Sequence, residues 1–158
     1  MISKTYGPGE QVRARGRCLC GAVSYEVRGP LRPILICHCA DCRRWHGYAC
    51  ATTAAYDKDV VISDSGLLTW YKKPSREKLP SRGFCAQCGS SLFWKAPERD
   101  TISIAAGTLK PPSGLRVVAR IFTADASDYE VIGDDGLAHF EHGAPPEIAA
   151  LPLEPPGA

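Results

Sequence analysis

The chain has 158 residues, a formal net charge of +2, 44% hydrophobic residues and 23% charged residues. This length is typical of one domain that can bury a core without disulfides, and the composition is that of a globular protein. No apolar run approaches the roughly 20 residues of a membrane-spanning helix. The N-terminal residues also lack the apolar block of a secretory signal. We therefore expect a single domain located in the cytoplasm, with no membrane partner.

The small net charge is unevenly distributed. Residues up to Lys95 carry an excess of basic side chains, whereas the residues after it carry an excess of acidic ones. The basic half could attract an anionic small molecule or a nucleic acid, or the two halves could attract each other. Because a dedicated nucleic-acid binder usually has a stronger basic excess, often with a pI above about 9, the charge favours a small-molecule partner.

Short β-rich segments, separated by glycine, proline and aspartate, follow one another along the chain. Strands are predicted at Ala22–Val27, Ile34–Cys39, Tyr48–Ala54, Val60–Ile62, Leu67–Tyr71, Arg82–Phe84, Ser91–Trp94, Thr101–Ala105, Arg116–Phe122 and Tyr129–Ile132. Ala40–His46 is long enough for one or two helical turns, which Gly47 would end. No segment has the length and 3.6-residue period of a major helix. The pattern predicts an all-β meander or sandwich.

The two ends of the chain differ in composition from the middle. Residues 1–16 contain Gly7, Pro8 and Gly9 among scattered charges, which is typical of a flexible arm. Residues 143–158 are proline-rich, which predicts a disordered or loosely docked tail. The domain itself is therefore expected to span residues 17–142.

Eight cysteines fall into three tight clusters and one single residue. They are Cys18 and Cys20, then Cys37, Cys39 and Cys42, then Cys50, and finally Cys85 and Cys88. Cysteines separated by one or two residues are metal ligands more often than disulfide partners, and disulfides are rare in reducing compartments. The spacing therefore predicts zinc sites.

The first and last cysteine pairs together provide a complete ligand set for one zinc ion. Structural zinc takes four tetrahedral ligands, commonly from two pairs that are distant in sequence. Each pair is followed by a glycine, which permits a tight turn in which backbone amides point at the sulfurs. We expect Cys18, Cys20, Cys85 and Cys88 to form one closed structural site.

The remaining cluster, Cys37, Cys39 and Cys42, would hold a second ion with one coordination position open. Three thiolates leave such a site at about −1, which favours binding of a fourth thiol over activation of water. Cys50 could close the site as a fourth ligand, although a free cysteine in a β-rich run is more often a small buried hydrophobe. His38 would face away from the metal if the strand continued through Cys39.

The cysteine clusters stand in the motifs RCLCG, CHCADCRRWHG and GFCAQCGSSLF, with IAAGTL downstream and DGLAHFE near the end. This pattern, from about Arg17 to Glu141, resembles the glutathione-dependent formaldehyde-activating enzyme family, which also contains centromere protein V. The resemblance implies a mainly β, β-tent fold of short antiparallel strands held together by zinc. It also implies a second zinc on Cys37, Cys39 and Cys42, where glutathione or a related thiol acts as cosubstrate.

The implied reaction is the reversible addition of glutathione to formaldehyde, a carbon–sulfur lyase or synthase reaction. His46 and Tyr48, which follow the cluster, are candidates for the acid or base that handles the proton. Arg43 and Arg44 are candidates for steadying thiolates or holding substrate carboxylates, although all four residues could also be plain surface residues.

Aromatic residues along the chain are expected in the core or in a pocket wall; they are Trp45, Trp70, Phe84, Phe93 and Trp94. Two alternatives to an enzyme stay open at this stage. The first is a zinc-stabilised binding module for nucleic acid or protein, and the second is a scaffold in which both zinc ions are structural. The sequence is compatible with a monomer and with a homodimer.

Overall fold

Two β-sheets form the described part of the protein, residues 11–74 and 79–150 of the computed structural model. The strands are β1 Ala14–Arg17, β2 Val23–Val27, β3 Ile34–Cys37, β4 Cys50–Tyr56, β5 Val60–Asp64, β6 Leu68–Lys72, β7 Ser81–Cys85, β8 Ser91–Lys95, β9 Thr101–Ala105, β10 Val117–Ile121 and β11 Ala138–His139. The helices are α1 Ala40–His46 and α2 Pro146–Ala149. Short 3₁₀ turns follow β4, β9 and β10.

The smaller sheet has the strand order β1-β2-β5, and the larger has the order β11-β10-β3-β4-β9-β8-β7-β6. The smaller sheet is antiparallel throughout. In the larger sheet, β10 runs parallel to both β3 and β11, so the sheet is mixed and the expectation of antiparallel strands alone was incomplete. Strands β3 and β10 are separated by about half of the chain, and no tight turn forces them into opposite directions.

The core lies between the two sheets. Strand β2 alternates buried and half-buried residues, and Val23, Tyr25 and Val27 point inward as a period of two requires. Tyr25 meets Phe93 of β8 edge to face, with ring centroids 5.2 Å apart. Its hydroxyl forms a 2.7 Å hydrogen bond with Thr108 Oγ1. These contacts fix the smaller sheet on the larger one.

The mainly β fold and the single short helix before Gly47 confirm the sequence prediction. The strand predicted at Tyr129–Ile132 was wrong, because the described chain forms turns and irregular structure there. Tyr129 is 68% exposed and Val131 is 94% exposed, so neither side chain has a surface on which to pack. The short strand β11 instead extends the sheet a few residues later.

Regular structure also enters the segments predicted as arm and tail. Strand β1 begins at Ala14 because its alternation places Gly16 in the interior opposite Tyr25. Helix α2 adds one turn after Pro145. The rest of the predicted arm, residues 1–10, and the end of the predicted tail, residues 151–158, lie outside the described residues. Among the described helices, α1 and α2 are both too short to cross a bilayer.

Candidate metal centres and the adjoining cavity

The first cysteine cluster lies where the two sheets meet. Cys18 and Cys20 follow β1 of the smaller sheet, and Cys85 and Cys88 flank the turn between β7 and β8 of the larger one. All four sulfur atoms lie within 4.8 Å of one another. The Sγ atoms of Cys18 and Cys20 are 3.5 Å apart, and those of Cys20 and Cys85 are 3.8 Å apart.

These separations fit a tetrahedral zinc ion. Sulfur at about 2.3 Å from zinc in a tetrahedron gives sulfur–sulfur distances of about 3.8 Å. Backbone and hydroxyl donors surround the sulfurs: Val23 N donates to Cys18 Sγ at 3.3 Å, and Ser90 Oγ lies 3.2 Å from Cys88 Sγ. The Ser90 hydrogen bond lowers the pKa of Cys88 to about 5, which favours the thiolate that zinc needs. The donor set therefore fits a closed structural site.

The second cluster lies at the junction of β3 and α1. Cys37 ends β3, Cys39 caps the N-terminus of α1, and Cys42 lies within its first turn. Their sulfur atoms also lie within 4.8 Å of one another. Cys42 N donates to Cys39 Sγ at 3.4 Å, so the capping bond of the helix holds one ligand in place. Hydrogen bonds from Cys37 and Cys42 lower the pKa of Cys39 to about 2.

Cys50 lies opposite Cys37 in the β3–β4 pairing, but its sulfur does not belong to the cluster. Cys50 Sγ lies 3.7 Å from the carbonyl oxygen of Ala51, and the residue is 5% exposed. Burial raises the pKa of Cys50 to about 12, so the thiol stays neutral. The three-cysteine ligand set therefore remains open in the described part of the chain.

Helix α1 is anchored through Trp45 rather than through a buried apolar face. No residue of α1 is fully buried. Trp45 Nε1 donates to Ser91 Oγ at 2.6 Å, and its ring stacks on Tyr71 at 5.6 Å and meets Phe84 edge to face at 5.7 Å. These contacts tie the helix that carries Cys39 and Cys42 to strands β6, β7 and β8.

A cavity of about 410 Å³ opens beside the second cluster, and Cys37, Cys39 and Cys42 all line it. Apolar and aromatic side chains form much of its wall; among them are Leu35, Trp45, Leu92, Phe93, Trp94 and Phe122. A partly apolar cavity with a potential metal centre at its edge is the usual form of a small-molecule site. The first cluster contributes no residue to this cavity.

A family profile described as glutathione-dependent formaldehyde-activating enzyme matches residues 13–125, which include both cysteine clusters. The chain belongs to this family. A crystal structure of a Rhodobacter sphaeroides protein has a similar fold, with a TM-score of 0.50 and 22% identity over 66% of this chain and 99% of that one. That likeness supports the fold alone. A comparison with curated protein sequences found no match.

Two candidates for the acid or base were predicted from the sequence. His46 lines the cavity, whereas Tyr48 does not. Partial burial and the charge of Arg82 lower the pKa of His46 below its usual value of 6.5, and the charge of Cys39 opposes this shift. Tyr48 is 49% exposed, and a hydrogen bond and the negative charge of Glu130 raise its pKa.

Neither Arg43 nor Arg44 lines the cavity. Arg43 Nε donates to the carbonyl oxygen of His38 at 3.2 Å, so it fixes the chain between two ligands of the cluster. Arg44 is exposed. The structure therefore places neither predicted arginine in the wall of the cavity.

His38 lies outside the cysteine cluster, although β3 ends at Cys37 and does not continue through Cys39 as predicted. Its side chain is fully buried, and Nδ1 lies 3.1 Å from Glu130 Oε2, while Nε2 lies 3.4 Å from an Arg120 terminal nitrogen. Arg120 also pairs with Asp135 at 2.6 Å. This network fixes the side chain of the residue between Cys37 and Cys39.

Sequence reasoning missed three arginines that line the cavity: Arg32, Arg82 and Arg99. Arg32 stands between Leu31 and the apolar strand β3, and a single charge in such a run could have drawn attention to it. Arg82 and Arg99 carry no comparable local signal. Their positions depend on how β7 and the β8–β9 hairpin pack beside α1.

Proposed function

We propose that the protein catalyses reversible carbon–sulfur bond formation between a thiol, glutathione or a relative of it, and a small aldehyde such as formaldehyde. The observation that carries this proposal is the three-cysteine cluster at the edge of the 410 Å³ cavity. A purely structural site would have no need of an open position facing a cavity. Family membership supports the same class of reaction.

The reaction is an addition without net oxidation. The sulfur–carbon bond forms as the carbonyl π bond opens, and the thiol proton ends on the former carbonyl oxygen; the reverse reaction breaks the same bond. A zinc ion held by Cys37, Cys39 and Cys42 would supply a free coordination position at which an incoming thiol loses its proton near neutral pH.

The chain's own residues supply the remaining functions. His46 lines the cavity, and its lowered pKa keeps the imidazole neutral at pH 7 and able to accept or return a proton. The aromatic wall of Trp45 and Phe93 shields the reacting groups from water. Arg82 lies at the same wall, 3.7 Å from Asp41, so the charges of that pair offset each other.

Thiolate ligands and a reduced thiol substrate both need a reducing environment, so a cytoplasmic location forms part of the proposal. The test is the exchange rate between free glutathione and its formaldehyde adduct, measured by two-dimensional exchange NMR on an equilibrium mixture. The zinc-loaded protein should raise this rate above the uncatalysed value.

Replacing Cys39 with serine should remove the rate enhancement, because one ligand of the open set is lost. Cys50→Ser is the matched control, since Cys50 is a buried thiol near the cluster but outside it. An unchanged rate in Cys39→Ser would contradict the proposed site. No enhancement by the wild-type protein with any thiol would contradict the proposed function.

A further inference from the structure

Two of the three cavity arginines, Arg32 and Arg99, are each held by contacts with neighbouring residues. Arg32 is only 8% exposed, and one of its terminal nitrogens donates to Thr52 O at 3.1 Å and to Thr52 Oγ1 at 3.3 Å. Arg99 lies on the turn between β8 and β9, with its guanidinium 5.5 Å from the centroid of the Trp94 ring. Both side chains line the cavity.

Lys95 helps to fix the position of Arg99. The Lys95 ammonium donates to the main-chain carbonyl oxygens of Arg99 and Thr101. The stacking on Trp94 holds the guanidinium over the ring face. Arg99 is therefore positioned by the hairpin although it is exposed to solvent.

The two guanidiniums are close enough for their charges to interact. Burial and then the charge of Arg99 lower the pKa of Arg32 to about 10, and the charge of Cys37 acts in the opposite direction. Arg32 therefore stands within electrostatic reach of both the second cysteine cluster and Arg99. Two positive charges that line one cavity repel each other, and an anion bound between them would offset that repulsion.

Within residues 11–74 and 79–150, no carboxylate forms an ion pair with Arg32 or Arg99. Arg32 Nε is also buried without a hydrogen-bond partner among these residues. The third arginine differs, because Arg82 is 3.7 Å from Asp41. A buried guanidinium nitrogen without an acceptor is costly, and it indicates that an acceptor arrives with a ligand.

We propose that Arg32 and Arg99 form a subsite for a carboxylate carried by the substrate. Guanidinium groups suit carboxylates because their donors match both oxygens. The carboxylate could belong to the thiol or to the carbonyl compound, and the experiment separates these sources. The proposed subsite rests on the proposed function, because it assumes that the reaction takes place in this cavity.

The first measurement compares two small thiols by calorimetric titration of the zinc-loaded protein. 3-Mercaptopropionate carries a carboxylate, and 2-mercaptoethanol has a neutral hydroxyl in a similar position. A charge-assisted hydrogen bond contributes enough for a roughly tenfold to hundredfold difference in affinity. If the carboxylate enters on the thiol, 3-mercaptopropionate binds more tightly by this factor.

The decisive variant is Arg99→Gln, because Arg99 is exposed and its loss should leave the fold intact. It should weaken binding of 3-mercaptopropionate roughly tenfold and leave 2-mercaptoethanol unchanged. Arg116→Gln is the matched control, since Arg116 is exposed and does not line the cavity. Equal weakening of both thiols would show that Arg99 only balances the charge of the cysteine cluster, and would overturn the subsite.

If both thiols bind the wild-type protein equally, the carboxylate must enter on the carbonyl compound, and a comparison of two aldehydes tests this. Arg99→Gln should then slow the conversion of glyoxylate several-fold more than the conversion of formaldehyde, each compared with its wild-type rate. Absence of any carboxylate preference in both arms overturns the subsite without affecting the proposed function. If no thiol binds, the proposed function fails, and NMR titration with propionate, comparing wild type with Arg99→Gln, still decides the subsite.

Discussion

The first cysteine cluster should carry a large part of the folding free energy, and Cys88→Ser is the substitution that tests this. Cys88 is half-buried at the turn between β7 and β8, so a serine fits there sterically. The apparent binding free energy of a structural zinc is about 10 to 16 kcal/mol, which is about 3 kcal/mol for each of four ligands. Whole domains are stable by only about 5 to 15 kcal/mol.

A loss of about 3 kcal/mol corresponds to a fall in melting temperature of roughly 10 °C for a chain of this size. Cys42→Ser in the second cluster is the comparison, because α1 buries no residue fully and is held by Trp45. Its melting temperature should stay within about 3 °C of the wild type. Cys42→Ser should lose the ion of the second cluster, whereas Cys88→Ser should bind its structural ion more weakly, so that a chelator removes that ion more readily than from the wild type.

The assay combines thermal unfolding followed by circular dichroism with zinc content by mass spectrometry, on each protein with and without a chelator. Mild chelation of the wild type should remove the ion of the three-cysteine cluster first, with little change in melting temperature. If Cys88→Ser kept two zinc ions and the wild-type melting temperature, the structural assignment would be refuted. If the melting temperature of Cys42→Ser fell as far as that of Cys88→Ser, both ions would be structural and the proposed open site would be refuted.

Two further predictions concern packing and pH. Gly16→Ala should lower the free energy of unfolding, measured in urea, by about 2 kcal/mol or more, because the added Cβ would lie 2.2 Å from ring and hydroxyl atoms of Tyr25. Gly107→Ala is the control and should leave the free energy of unfolding nearly unchanged, because the space around Gly107 is open. Equal effects of the two substitutions would contradict this reasoning. Burial and the charge of Arg82 lower the pKa of His46, so the turnover rate should be maintained at pH 7 and should fall on acidification only below pH 6.5. His46→Gln should remove this fall of the turnover rate at acidic pH. If the pH dependence of turnover were unchanged in His46→Gln, His46 would not be the base.

The cysteine assignments could be predicted because each cluster is fixed largely by local geometry. Cysteines one or two residues apart on a tight turn bring their sulfurs together whatever the remaining fold does. Gly21 and Gly89 adopt positive φ angles of 84° and 75°, as the turns after Cys20 and Cys88 require. The pairing of the two distant pairs was inferred from the four ligands that tetrahedral zinc takes, and the structure brings those four sulfurs within 4.8 Å of one another.

The arginines that line the cavity could not be predicted in the same way. The sequence pointed to Arg43 and Arg44 because they are adjacent to Cys42, yet neighbours along a helix point in different directions. The cavity instead receives Arg32 from the segment before β3 and Arg99 from a hairpin turn. Their convergence depends on tertiary packing, which no local pattern encodes.

The two cysteine clusters differ in what surrounds them more than in their chemistry. The first has four sulfurs, which complete a tetrahedron and join two sheets, so an ion bound there has nothing to exchange. The second has three sulfurs, and the sulfur of Cys50 lies outside this set although Cys50 is directly opposite Cys37 in the β3–β4 pairing. The position of the Cys50 side chain therefore decides whether a fourth thiol completes this ligand set, as it would in a closed site.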